Sequence, residues 1–163
     1  ATKASAELIA QSYFHSFKFP IIITRSNNIY GKNQFPEKVI PKFIKQLRNN
    51  EKVTIQDGTC VRSFLHISDA VRGIFLILDK GKVGDIYNIG CDENMEYSIL
   101  SLAKLLIQKI KKTNECDDWI TYIPNRPFND KRYYISNSKL KKIGWKIHTS
   151  FEDGLDNLLK NDI

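Results

Sequence analysis

Cysteine is scarce in this sequence, long apolar runs are missing, and nothing in it divides the chain into repeats. The three cysteines, Cys60, Cys91 and Cys116, lie far apart and none belongs to a CxxC pair. That spacing excludes a disulfide framework and a zinc site of ordinary ligand spacing, so no metal is expected. The longest apolar stretches, such as Gly73 to Leu78, are far too short to span a bilayer. No succession of charged, apolar and small residues reads as a signal peptide, and we expect a cytoplasmic location with no membrane partner. With no low-complexity linker either, the 163 residues read as a single compact unit.

What is present fits a globular protein. A hydrophobic share of 42% beside 26% charged residues gives enough apolar material for a real core. The net charge of +7 raises the question of nucleic acid. The basic residues are scattered along amphipathic stretches without a nucleic-acid motif, so no nucleic-acid partner is expected. A solvated basic face explains the charge, and so does a positive field drawing an anionic ligand into a cleft.

Periodicity lays out alternating elements. Ala6, Ala10, Tyr13 and Phe17 recur at helical spacing, predicting a helix over 3–17 with that stripe inward, before the buried strand Ile21 to Ile23. A helix over 36–49 follows, with Pro36 at its start, Pro41 bending or delaying its first turns, and Val39, Ile40, Phe43, Ile44 and Leu47 on its buried side. Strands at 53–55 and 61–66 flank an Asp57-Gly58 turn, and Ser68 is expected to cap a helix that carries Val71, Ile74, Phe75 and Leu78 inward. A strand at 86–89, a helix opened by Ser98 with Ile99, Leu102, Leu106 and Ile110 on one face, and a strand at 119–123 come next. A short helix over 139–143 stopped by Gly144 and a final helix over 151–159 complete an α/β pattern.

The most informative stretch is Arg25 to Phe43, where amide, aromatic and basic side chains stand at a strand end. In an open α/β sheet, ligands bind at that place. Asn and Gly also favour turns whatever the function. Asn27 and Asn28 can donate and accept, and Lys38 adds a positive point charge near a helix start. From Asn28 to Phe43 the segment resembles the nucleotide-sugar 4,6-dehydratases of the extended short-chain dehydrogenases, most closely their plant and animal members. The likeness runs the length of the chain.

That resemblance implies the rest of a site. Ala1-Thr2-Lys3-Ala4-Ser5 is similar to the tail of a Tyr-x-x-x-Lys motif, which makes Lys3 the catalytic lysine that binds the nicotinamide ribose of NAD and lowers the tyrosine pKa. Asn28 falls beside both the nicotinamide and the sugar, and Lys38 and Val39 at the substrate. Arg62, in Arg-Ser-Phe-Leu-His, is placed on the substrate diphosphate, which a planar guanidinium can grip with two parallel bonds. Arg126 and Asn129, in the loop from Asn125 to Tyr133, offer a second contact, while Thr54, Ile55 and Gln56 fall at the nucleobase. His66 and Asp69 read as structural, and Glu96 departs from the family pattern, so no role is carried to it.

The implied protein is the C-terminal part of such an enzyme. Residues 1–35 and 68–90 would contribute Rossmann-type elements, and 36–67 and 91–163 the substrate-binding part, with the N-terminal NAD-binding half, its glycine-rich loop and most catalytic groups absent. The expected substrate is UDP-glucose or dTDP-glucose, with the Arg-Pro-Phe-Asn-Asp loop favouring UDP, and the expected product a 4-keto-6-deoxy sugar nucleotide. The complete enzyme would be a homodimer built on helix 3–17, and the isolated 163 residues inactive. A C4 epimerase or decarboxylase of the same family, and a noncatalytic sugar-nucleotide-binding module, are the alternatives.

Overall fold

A computed structural model describes residues 1–160. Helix α1 (Thr2–Phe17) leads into strands β1 (Ile23–Ser26) and β2 (Asn28–Tyr30), helix α2 (Val39–Arg48), strands β3 (Val53–Ile55) and β4 (Val61–His66), and helix α3 (Ile67–Lys80). Strands β5 (Ile86–Ile89) and β6 (Glu96–Ser98), helix α4 (Ile99–Lys111), strands β7 (Ile120–Tyr122) and β8 (Arg132–Tyr133), and helices α5 (Ser138–Lys142) and α6 (Phe151–Lys160) follow. The alternation is the expected α/β class. β1 pairs in parallel with β5 and β3 with β7, while β4 pairs with β2 and β8 in parallel and with β6 antiparallel.

Strand alternation makes β4 the wall between two cores, because neighbouring side chains on a strand point to opposite faces. Phe64 joins a larger cluster with Ile40, Phe43, Ile44 and Leu47 of α2, Leu102, Leu106 and Ile107 of α4, and Phe151, Leu155 and Leu158 of α6. The α2 residues follow the spacing of a single helical stripe. Leu65 joins a smaller cluster with Ala70 and Ile77 of α3, Tyr87 and Ile89 of β5, Cys91, Leu140 and Trp145.

Asp69 fastens the start of α3 to the chain before α6. Its buried carboxylate accepts from Arg72 Nη2 at 2.5 Å and from the His148 and Thr149 amides at 2.9 and 3.0 Å. Its carbonyl accepts from Trp145 Nε1 at 3.0 Å. Burial pushes the carboxyl up, but Arg72 and the two amides outweigh it and hold the group below its ordinary value.

Several expectations change. α2 begins at Val39, so Pro36 lies in a turn before it, and Pro41 falls in the first turn, where a missing N–H costs nothing. β1 starts at Ile23 and is half-buried to exposed, since its edge away from β5 carries no strand among the described residues. In α1 the half-buried positions are Glu7, Ala10, Gln11 and Phe14, while Ala6, Tyr13 and Phe17 are exposed. In α3 the inward residues are Asp69, Ala70, Gly73 and Ile77, and Val71, Ile74, Phe75 and Leu78 face out. Ser68 does not cap that helix: His66 is the cap, its Nδ1 accepting from the Ser68 amide at 3.3 Å. The strand expected over 119–123 shortens to β7, and β2, β6 and β8 were not expected at all.

Candidate functional site

Between β1 and β2 the chain steps sideways, and Asn27 holds the step. Its Nδ2 donates to Ser63 Oγ and, at 3.1 Å, to the Tyr133 carbonyl, while its Oδ1 accepts from the Asn28 amide at 2.9 Å. Asn28 is left exposed at the carboxyl end of β1. Gln34 then folds the following loop back, donating from Nε2 to the Ile29 carbonyl at 2.8 Å.

This loop, the first turns of α2, the end of β3, the start of β4 and the loop after β7 surround a cleft of about 720 Å³. That is ample for a small-molecule ligand. Asn28, Lys38, Val39, Thr54, Ile55, Gln56, Arg62, Arg126 and Asn129 all line it. Lys3 does not; it is exposed in the first turn of α1. Ser26, Gln34, Glu37, Lys42, Cys60 and Ile123 line it as well. Lys42, whose Nζ donates to Thr54 Oγ1 at 3.2 Å, follows Lys38 by one helical turn, a spacing that marks it as a neighbour on the same face.

The arginines converge. Arg62 Nη2 and Arg126 Nη2 both donate to Asn129 Oδ1, at 3.4 and 3.2 Å, and Asn129 Nδ2 donates to Gln56 Oε1 at 3.1 Å. Asn125 Nδ2 reaches Asp57 Oδ2 at 2.6 Å and ties the same loop to the turn after β3. The Thr59 amide and hydroxyl hold the Asp57 carboxyl below its ordinary value, so it is a charged anchor near neutral pH. One neutral oxygen takes a single bond from each guanidinium, which leaves both with donors for an anionic ligand. With Lys38 and Lys42 on the facing helix and Glu37 the one acid among the lining residues, the cleft carries a strong positive field.

His66 is engaged in the fold, as the cap of α3. Burial lowers its pKa, an effect that Asp69 partly opposes, and its ring packs edge-on against Tyr30 at 5.4 Å. Glu96 is spent on Arg132, accepting from Nε at 2.9 Å and from Nη2 at 2.6 Å. Among the described residues no group of three His, Cys, Asp or Glu is placed to hold a metal ion, and no helix is long and apolar enough to cross a membrane.

The sequence profile of the NAD dependent epimerase/dehydratase family matches residues 1–90. A dTDP-D-glucose 4,6-dehydratase of Homo sapiens is 46% identical over 95% of this chain and 45% of its own length. A trifunctional UDP-glucose 4,6-dehydratase/UDP-4-keto-6-deoxy-D-glucose 3,5-epimerase/UDP-4-keto-L-rhamnose-reductase of Arabidopsis thaliana is 44% identical over 95% of this chain and 23% of its own. Among solved structures, the dTDP-glucose 4,6-dehydratase DesIV of Streptomyces venezuelae, with NAD and TYD bound, superposes with a TM-score of 0.89 at 31% identity. It is covered over 48% of its chain, against 97% of this one. The chain thus spans about half the length of these 4,6-dehydratases, and less of the trifunctional plant protein. A family profile reaching across more than half of the residues, together with relatives aligned over nearly all of them, shows that this chain belongs to the NAD dependent epimerase/dehydratase family.

Proposed function

We propose that these residues supply the sugar-nucleotide site of an NAD-dependent nucleoside-diphosphate-glucose 4,6-dehydratase, a hydro-lyase. The convergence of Arg62 and Arg126 on Asn129, at the wall of a cleft ringed by cations, carries this reading. The two guanidinium groups grip the diphosphate. Thr54, Ile55 and Gln56 face the uracil or thymine ring, Lys38 and Val39 flank the substrate, and Asn28 orients the sugar beside the nicotinamide. An ammonium at Lys3 and a carboxamide at Asn28 suit the ribose and carboxamide end of NAD, and Lys3 lowers the pKa of the tyrosine that serves as base. When bound, NAD would supply the hydride acceptor for C4 of the glucose and the hydride donor for C6. Once C4 is a ketone the C5 proton is acidic, so water leaves across C5 and C6.

In this reading the smaller core, with residues 1–35 and 68–90, belongs to the NAD-binding sheet, and the larger one to the substrate domain. The open edge of β1 and the outward apolar faces of α1 and α3 are where further strands and helices pack, and α1 contributes to a homodimer. Its setting is cytoplasmic, in keeping with three cysteines that are free and buried.

The test is NMR of the product made from UDP-glucose and from dTDP-glucose by the complete enzyme of this reading, these residues together with an NAD-binding half. A 4-keto-6-deoxy sugar nucleotide is expected, with turnover of the two substrates identifying the base; residues 1–163 alone are expected to make none. A second reading, a sugar-nucleotide 4-epimerase, draws on the UDP-glucuronic acid 4-epimerase of Bacillus cereus, which superposes with a TM-score of 0.87 at 30% identity. A C4-inverted product that keeps its C6 oxygen would establish that reading instead.

A further inference from the structure

We infer that Tyr133 is a positioning residue for the diphosphate, its ring serving as the platform on which the Arg62 guanidinium lies. The inference rests on the proposed sugar-nucleotide site. Arg62 Cζ sits 4.5 Å from the Tyr133 ring centroid, and the parallel register of β4 and β8 sets the two residues opposite one another. The residue is held at its main chain and at its phenol. The Tyr133 carbonyl accepts from Asn27 Nδ2 at 3.1 Å and from Ser63 Oγ at 3.4 Å, and its phenol donates to Asp130 Oδ2. That bond to Asp130 raises the phenol pKa, so the proton stays in place.

A cation over an aromatic face is attracted by the ring quadrupole, and the flat guanidinium stacks there while its edges remain free to donate. Arg62 Nη1 is held by the Val61 carbonyl at 2.8 Å, which fixes rotation within that plane. The remaining edge, including Nη2, is then presented at the cleft wall beside Arg126. Without the ring, a side chain with many rotamers has to be ordered each time a diphosphate binds. Tyr133 also links sites remote in sequence: its carbonyl steadies Asn27, next to Asn28, and its ring steadies Arg62.

The test uses the complete enzyme of the proposed function with Tyr133→Leu and Tyr133→Phe, read by calorimetric titration with UDP and with uridine, with dTDP and thymidine in parallel, and by KM and kcat for the sugar nucleotide. Tyr133→Leu is expected to weaken UDP binding and raise KM by about 3- to 10-fold, with uridine affinity and kcat at saturation unchanged. Tyr133→Phe keeps the ring and is expected to stay within about twofold. If the Leu variant fails to fold, Tyr133→Gln removes the aromatic face at similar reach and is expected to reproduce its effect. Unchanged UDP affinity in Tyr133→Leu overturns the inference, and so does an equal loss for UDP and uridine, which marks a general structural role. Failure of the unaltered enzyme to bind UDP or dTDP overturns the reading of the site and this inference with it, whereas the first two results leave that reading standing.

Discussion

The two cores on either side of β4 are built by different rules. Around Phe64, three helices each turn their largest apolar residues inward, and Leu106 of α4 and Leu155 of α6 are 0% exposed. Around Leu65 the order is reversed. α3 turns Ala70 and Gly73 inward and leaves Phe75 and Leu78 67% and 71% exposed, and α1 has no buried residue. α1 is held by half-buried Phe14, whose ring lies against Gly84, and by the Arg25 guanidinium on Glu7 at 2.9 and 2.5 Å, an exposed pair of small energetic value. The first region closes its apolar surface within the described residues, and the second exposes apolar surface on two helices. A helix that is apolar on more than one face is one that buries more than one face.

The sharpest way to break this comparison is to make the same substitution on each side. Leu106→Ala is expected to destabilise the chain by about 3 kcal/mol, since it opens a cavity in a closed core. Leu78→Ala in the same 163 residues is expected to fall within about 0.5 kcal/mol, as other exposed positions do. Urea unfolding of both variants measures the pair, and equal costs would remove the distinction. Next in size is the seam between the regions. Asp69→Asn replaces a buried carboxylate that accepts three hydrogen bonds and is expected to cost about 2 kcal/mol by the same assay.

The smallest expected effect is in pH. Asp69 is held below its ordinary value by Arg72 and two amides despite burial, so its contribution is complete above about pH 4. It is lost as pH falls through the lower folded value. His66 is also lowered, mainly by burial, so the stability tied to its neutral form is complete above about pH 6.5 and is lost as pH falls through its own folded value. Urea midpoints measured from neutral pH down to about pH 2 are expected to decline in two stages. The lower stage is expected to flatten in Asp69→Asn, and an unchanged lower stage would show that Asp69 is not its source.

Local pattern made much of this molecule legible. α2, α4 and α6 show clean helical stripes, and β3 and β4 stand where alternation and the Asp57-Gly58 turn place them, with Gly58 at φ 75°. The cleft residues were legible for a different reason: Arg25 to Phe43 stands out by its polar types at a strand end, whereas Thr54, Ile55, Gln56, Arg62, Arg126 and Asn129 came only with the resemblance to the 4,6-dehydratases. β2, β6 and β8, two or three residues long, were not, because pairing with β4 alone makes them strands. Tyr133 escaped notice on the same grounds, since nothing in Lys-Arg-Tyr-Tyr reveals that Arg62 lies across the ladder.

The sequence by itself determined most of the element types and the amide and basic side chains gathered at a strand end, since these rest on periodicity, turn residues and side-chain charge; the further residues of one site came with the family resemblance. Only the tertiary structure decided which face of α3 is inner. A Cβ at Gly73 would stand 3.1 Å from Trp145 Nε1 and 3.4 Å from Leu140 Cδ2, so the small face admits the indole that bonds the Asp69 carbonyl. Phe75 and Leu78 would hold the chain away. Close packing selects by shape as well as by hydrophobicity, and the partners that define the shape lie some seventy residues along the chain. The approach of Arg62 to Tyr133 was settled in the same way, by strand register that no local pattern encodes, and that of Arg62 to Arg126 by the loop that brings Asn129 between them.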